Sequence, residues 1–195
     1  MTPVPCHPSR HGLPPAAAFG APSNGELALT GPAGAAAAFR RAAWEQVGGL
    51  DESIFAYLED LDLALRLRGA GWDTELALDA VAVHVGSATL GHRSAEQRRK
   101  IGHARAYLLR RYGILRSRTA PRALATEAIV VAGDVFFAHD LQALAGRLEG
   151  WRAAAGQPTS ALPPAQAIDA GIGFLQSLRL RRGVYMAPQR DGAAA

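Results

Sequence analysis

The segment from Leu50 to Gly71 constrains this chain more than any other. It reads Leu-Asp-Glu-Ser-Ile-Phe-Ala-Tyr-Leu-Glu-Asp-Leu-Asp-Leu-Ala-Leu-Arg-Leu-Arg-Gly-Ala-Gly. From about Leu58 the apolar spacing is helical: Leu58, Leu61 and Leu65 fall at i, i+3 and i+7 and share one face. Glu59, Asp62 and Arg66 share a neighbouring face. Asp62 and Arg66 make an i, i+4 ion pair, worth a few tenths of a kcal/mol on an exposed surface. Gly69 and Gly71 end the helix. Glu59 and Asp60 stand in its first turn, where the helix dipole favours ionised carboxylates.

Elements of both kinds are expected around this helix. Residues 1–25 carry several prolines and no helical or strand period, and read as a loose leader. Glu26 to Thr30 has the character of a short strand. Gly31, Pro32 and Gly34 then make a turn into a helix that carries Trp44 and Val47 and is capped by Gly48-Gly49. Thr74 to Leu78 and Ala80 to Val85 are strand signals; in the second, Val81, Val83 and Val85 alternate with Ala80, Ala82 and His84. Residues 92–112 predict an amphipathic helix opened by a Ser94/Gln97 capping box. A further helix is predicted from near Pro121 to about Gly150. Its apolar stretch, 128–138, is expected in the core, with contact at a membrane surface as the second reading. A last short helix is expected over Ala165 to Leu180. The divisions are 1–25, 26–115, 116–155 as a helical extension, and 156–195 as a tail.

Composition narrows the classes. A length of 195 residues suits one domain with a core. The net charge of +4 and the pI of about 9.8 favour acidic partners without choosing among them. From Arg93 to Arg122 there are ten basic residues and one acidic, of 21 Lys and Arg in all, so the positive charge is concentrated there. No helix-turn-helix spacing, zinc knuckle or RNA-binding aromatic pair accompanies it, which makes nucleic acid the weak reading. Cys6 is the only cysteine. It excludes an internal disulfide and a multi-cysteine zinc site, and fits a reducing cytosol. No run of roughly 18 apolar residues is present to span a bilayer.

The stretch Val47 to Trp72 resembles the signature of bacterial family 2 glycosyltransferases of the rhamnosyltransferase type. There a Gly-Gly-Phe-Asp-Glu turn leads through an aromatic run into Glu-Asp-x-Asp-Leu-x-x-Arg-x-x-x-x-Gly. Leu50 stands here in place of the phenylalanine. Gly34 with Phe39-Arg40-Arg41 resembles the family's Gly-x-x-x-x-Arg-Arg segment. Val83-His84-Val85-Gly86-Ser87 resembles its His-x-Gly-x-Ser strand end. The elements occur in order over residues 31–112.

The resemblance implies an α/β fold: the later part of a GT-A (Rossmann-like) domain, lacking the N-terminal nucleotide-binding half and followed by C-terminal helices. It implies inverting transfer of a sugar from a nucleotide-sugar donor to a glycan or lipid-linked acceptor. Asp60 is then the base that takes the acceptor's proton, and Glu59 a second carboxylate that orients the hydroxyl. Asp62 and Arg66 are scaffolding. A divalent metal, Mg²⁺ or Mn²⁺, is implied for the departing diphosphate, with His84 as a ligand. Arg93, Arg98 and Arg99 are candidate phosphate contacts. The family's Asp-x-Asp metal motif has no counterpart before Gly31, so a truncated or split enzyme is expected, completed by an N-terminal segment or a separately encoded partner; a homo-oligomer is the other partner expected. The expected location is cytoplasmic, at the inner face of the membrane. The rival reading is a non-catalytic glycan- or acceptor-binding module, and a third is a decayed gene product.

Overall fold

The computed structural model describes residues 34–75 and 94–162, together with 31, 90, 91 and 175. Every regular element among them is helical: α1 (Arg41–Val47), α2 (Glu59–Gly69), α3 (Ala95–Arg111), a 3₁₀ turn (Ile114–Arg116), α4 (Ala120–Ala138) and α5 (Gln142–Ala153). Thr74 and Glu75 form no regular element. The rest of the sheet expected for an α/β, GT-A architecture falls outside the described residues. So do the leader at 1–25 and, Leu175 apart, the helix at Ala165 to Leu180.

The local rules hold where punctuation is strong. Gly48 takes φ 77° and ends α1; its N–H donates to the Glu45 carbonyl at 3.3 Å and the Gly49 N–H to the Trp44 carbonyl at 3.0 Å. Ser94 caps α3 by accepting from the Gln97 N–H at 3.0 Å. The helix expected from Pro121 to Gly150 is instead two. His139 adopts φ 54°, a left-handed conformation that closes α4. Asp140 then accepts from the Gln142 N–H at 3.0 Å and pairs with Arg98 of α3, which starts α5 in a new direction.

The central helix is α2. Leu65, with Leu58 and Leu61, packs on Ala104, Tyr107, Leu108 and Tyr112 of the α3 segment, with Ile54 and Ala154. Leu63 and Leu67 pack on Ala43 of α1 and on Phe39, Trp44, Val47 and Trp72. The shared face of Leu58, Leu61 and Leu65 is thus the face that meets α3. Asp62 is buried, so its ion pair is not a surface one. It is 1% exposed, joined to Arg66 at 2.7 Å, and accepts from the Tyr112 hydroxyl at 2.9 Å.

Helices α3 and α5 cross backbone to backbone. A methyl on Gly146 would overlap the Arg99 carbonyl, one on Gly150 the His103 carbonyl, and one on Gly102 the Ala143 carbonyl. Glycine is required at these positions by space. Gly146→Ala and Gly150→Ala should each lower stability by about 1–3 kcal/mol through overpacking. Gly133→Ala in α4, where the added methyl meets open space, should raise it by up to about 1 kcal/mol. Urea unfolding midpoints of the three variants check this.

The stretch 128–138 is not core. Ile129 is 48% exposed, Phe136 71% and Phe137 80%. The inner side of α4 is taken by Glu127, which accepts from Arg105 of α3 at 2.9 Å and from Arg147 of α5 at 2.8 Å. An acid held by two arginines takes part of the inner side, so Ile129, Phe136 and Phe137 face out while Val130, Val131 and Val135 are half-buried.

Candidate functional site

The acidic start of α2 is built on a strained turn. Tyr57 and Leu58 both have positive φ, 69° and 65°, without being glycine. Such residues cost on the order of 1–3 kcal/mol each and persist where the surroundings over-determine them. Here the anchors lie on the preceding loop. Ile54 is buried, and its N–H donates to the Asp51 carbonyl at 2.9 Å. The Ser53 N–H donates to Asp51 Oδ1 at 2.9 Å, and the Tyr107 hydroxyl donates to Asp51 Oδ2 at 2.7 Å. His103 Nε2 lies 3.1 Å from the Ser53 carbonyl. Burial alone would push the Asp51 carboxyl up, but the Tyr107 and Ser53 hydrogen bonds and the Arg111 charge bring it below the usual range. It stays ionised and keeps its donors.

At the end of this loop Glu59 and Asp60 lie side by side, both partly buried. The Gly34 N–H donates to Asp60 Oδ2 at 3.1 Å, and the Leu61 N–H to Oδ1 at 2.8 Å. A methyl on Gly34 would sit 3.5 Å from Glu59 Oε1 and 3.7 Å from Asp60 Cβ. The glycine turn therefore lies directly against the carboxylate pair, 26 residues away in sequence. Two backbone N–H groups fix the Asp60 carboxylate, and each oxygen retains a lone pair.

Glu59 Oε2 is buried without a hydrogen-bond partner among the described residues. Burial pushes the Glu59 carboxyl up from the ordinary glutamate value, and the charge of Asp60 adds to this, against two backbone hydrogen bonds that lower it. A carboxyl raised on folding binds its proton more tightly in the native state. It therefore stabilises the fold at acid pH, and this contribution is lost as pH rises from the ordinary value of 4.5 through the raised one. Glu59→Gln should flatten that fall. Urea unfolding of both proteins across this pH window gives the comparison.

The other expected site residues are distributed differently. His84 and Arg93 lie outside the described residues. Arg98 pairs with Asp140 and Arg99 with Glu149, so both tie α3 to α5. Arg99 also lines an open cavity of about 490 Å³, with Phe55, Glu96, Lys100, His103 and Gln142. Asp62 is buried and Arg66 half-buried: Arg66 donates to the Val47 carbonyl at 2.6 Å and so ties α2 to the end of α1. Asp51, Tyr107 and Tyr112 were not singled out from the sequence. Asp51 is part of the Gly-Gly-x-Asp-Glu turn, and that was the available signal.

For a divalent cation, the described residues alone do not make a ligand set. No three His, Cys, Asp or Glu side chains among them come together. Glu59 and Asp60 supply two carboxylates, and both Asp60 oxygens already accept backbone N–H groups.

The same residues carry the relationship to known proteins. Residues 21–151 match the glycosyl transferase family group 2, and the chain belongs to that family. Two curated relatives, from two strains of Mycobacterium tuberculosis, are each an N-acetylglucosaminyl-diphospho-decaprenol L-rhamnosyltransferase. Each is 46% identical over 56 residues, which is 29% of this chain and 16% of the relative's own length. No solved structure matches.

Proposed function

We propose that this chain carries the acceptor-side part of an inverting glycosyltransferase, with Asp60 as the base. The observation that supports it is the Asp60 carboxylate, held by the Gly34 and Leu61 N–H groups at the start of α2 and only partly buried. An acceptor hydroxyl gives its proton to Asp60. Its oxygen forms a bond to the anomeric carbon as the bond to the nucleoside diphosphate breaks on the opposite face. Glu59, the neighbouring carboxyl, orients the hydroxyl through a hydrogen bond. The relatives' names suggest a rhamnosyl donor and a lipid diphosphate acceptor. Mg²⁺ or Mn²⁺ would neutralise the departing diphosphate, and His84 is the residue proposed to ligate it. A cytoplasmic position at the membrane's inner face goes with this reading.

The test is transfer by the full protein from a nucleotide-rhamnose to N-acetylglucosaminyl-diphospho-prenol, with the anomeric configuration read by NMR. A product of inverted configuration supports the reading. Retention of configuration, or no transfer from any nucleotide sugar, overturns it. One observation favours a second reading, a glycan-binding module without transfer. Phe55 is 76% exposed at the cavity wall, with Lys100 4.5 Å from its ring centroid. Such a ring is a platform for a sugar face. This reading requires saturable glycan binding with no dependence on nucleotide.

A further inference from the structure

Helix α4 keeps Val130, Val131 and Val135 half-buried but turns two acids inward and an apolar stripe outward. Its inner side carries Glu127, bonded to Arg105 and Arg147. It also carries Asp134, which burial pushes up and which lies in the field of Arg147, Arg98 and Arg105. Its outer side carries Leu124, Ile129 and Phe136, which are 54%, 48% and 71% exposed, and Phe137 extends this surface. These positions fall on one side of the helix at 3.6-residue spacing, with the exposed Ala125, Ala128 and Ala132 between them. From Leu124 to Phe137 the only charged residues are Glu127 and Asp134; Glu127 is bonded on the inner side and Asp134 is half-buried there. A helix in contact with water alone has the opposite arrangement.

The charge around the stripe bears on what covers it. Arg116 and Arg118, both exposed, stand just before the N-terminus of α4. A second copy of the chain would bring the same cations and no acid on this surface. An anionic partner with an apolar interior meets both features. At 19 residues α4 is roughly 28 Å long, and no described helix is long and apolar enough to cross a membrane. Lying along a surface is the arrangement left to it.

We infer that α4 is a membrane-surface helix. Its outer stripe lies at the boundary between headgroups and acyl chains of an anionic bilayer, with Arg116 and Arg118 on lipid phosphates. This stands apart from the chemistry at Asp60 and holds whether or not the chain transfers a sugar.

The experiment is co-sedimentation of the intact chain with vesicles of phosphatidylcholine alone and of phosphatidylcholine mixed with phosphatidylglycerol. Binding should be tighter on the mixed vesicles and weaken with salt. Phe136→Ser with Phe137→Ser should reduce partitioning on the order of tenfold. Arg116→Gln with Arg118→Gln should remove roughly fivefold per residue, on the anionic vesicles only. All four positions are exposed, and circular dichroism confirms that each variant keeps its helices. Should the phenylalanine pair disturb folding, Leu124→Gln with Ile129→Gln tests the same stripe. Three results overturn the inference. One is no binding to anionic vesicles, and another is equal binding by wild type and variants. The third is a wild-type dimer in light scattering that the phenylalanine substitutions dissociate, which would assign the stripe to a second copy.

Discussion

Asp62→Ala is expected to destabilise the fold by about 3–5 kcal/mol, the effect of breaking a buried ion pair from one side. Asp62 holds three groups at once: Arg66 through Nε at 2.8 Å and Nη2 at 2.7 Å, and the Tyr112 hydroxyl at 2.9 Å. Arg66 is itself only 18% exposed in its side chain, and its Nη1 reaches the Val47 carbonyl. Removing the carboxylate leaves a charge in a poorly solvated place and a buried hydroxyl without its acceptor. The Tyr112 hydroxyl does not ionise in its place, because burial, and in the native protein the Asp62 charge, push it far up. Tyr112→Phe deletes one hydrogen bond and leaves the ion pair, so it should cost about 1–2 kcal/mol. Urea unfolding of both variants separates the two contributions. Equal effects would mean that the hydrogen bond, and not the charge, holds α2 to α3.

What could be read in the sequence follows from where the physics is local. The Gly48 cap, the Ser94 cap and the Leu58, Leu61, Leu65 face each depend on residues within two helical turns, and all three are present. The break at His139 depends on Asp140 meeting Arg98, 42 residues away. No glycine or proline marks it. The burial of Asp62 depends on Tyr112, 50 residues away in sequence. At α4 the apolar run was legible, but its direction was not. That is set by Arg105 and Arg147 drawing Glu127 inward. Within the candidate site, adjacency made the Glu59–Asp60 pair legible. The motif order placed Gly34 in the same signature, and the structure seats it against the pair. The positive φ of Tyr57 and Leu58 had no sequence signal, since neither residue favours that conformation. The strain is imposed by Asp51, Ser53 and Tyr107, which clamp the loop from the other side.

Asp60→Asn should lower the rate of sugar transfer by about 10²–10⁴-fold, the usual contribution of a positioned general base. The amide keeps the shape of the carboxylate, and its one oxygen can still accept the Gly34 N–H that now reaches Oδ2. It cannot take a proton from an acceptor hydroxyl. The Leu61 N–H, now on Oδ1, loses its acceptor, so unfolding stability should fall by about 1–3 kcal/mol, while KM for the acceptor changes little and kcat collapses. Glu59→Gln separates the two carboxylates. If Glu59 only orients the hydroxyl through a hydrogen bond, the glutamine amide can donate in its place and most of the rate should survive. The loss at acid or neutral pH should then be roughly tenfold or less, as for one neutral hydrogen bond. The reverse pattern, a tolerated Asp60→Asn and an inactive Glu59→Gln, would move the base to the neighbouring residue. Glu59 is raised by burial and by the charge of Asp60, so a base at that position would make kcat rise with pH above the ordinary glutamate range. Because any carboxylate base makes kcat rise with pH, the paired substitutions, and not the pH profile alone, decide between the two carboxylates.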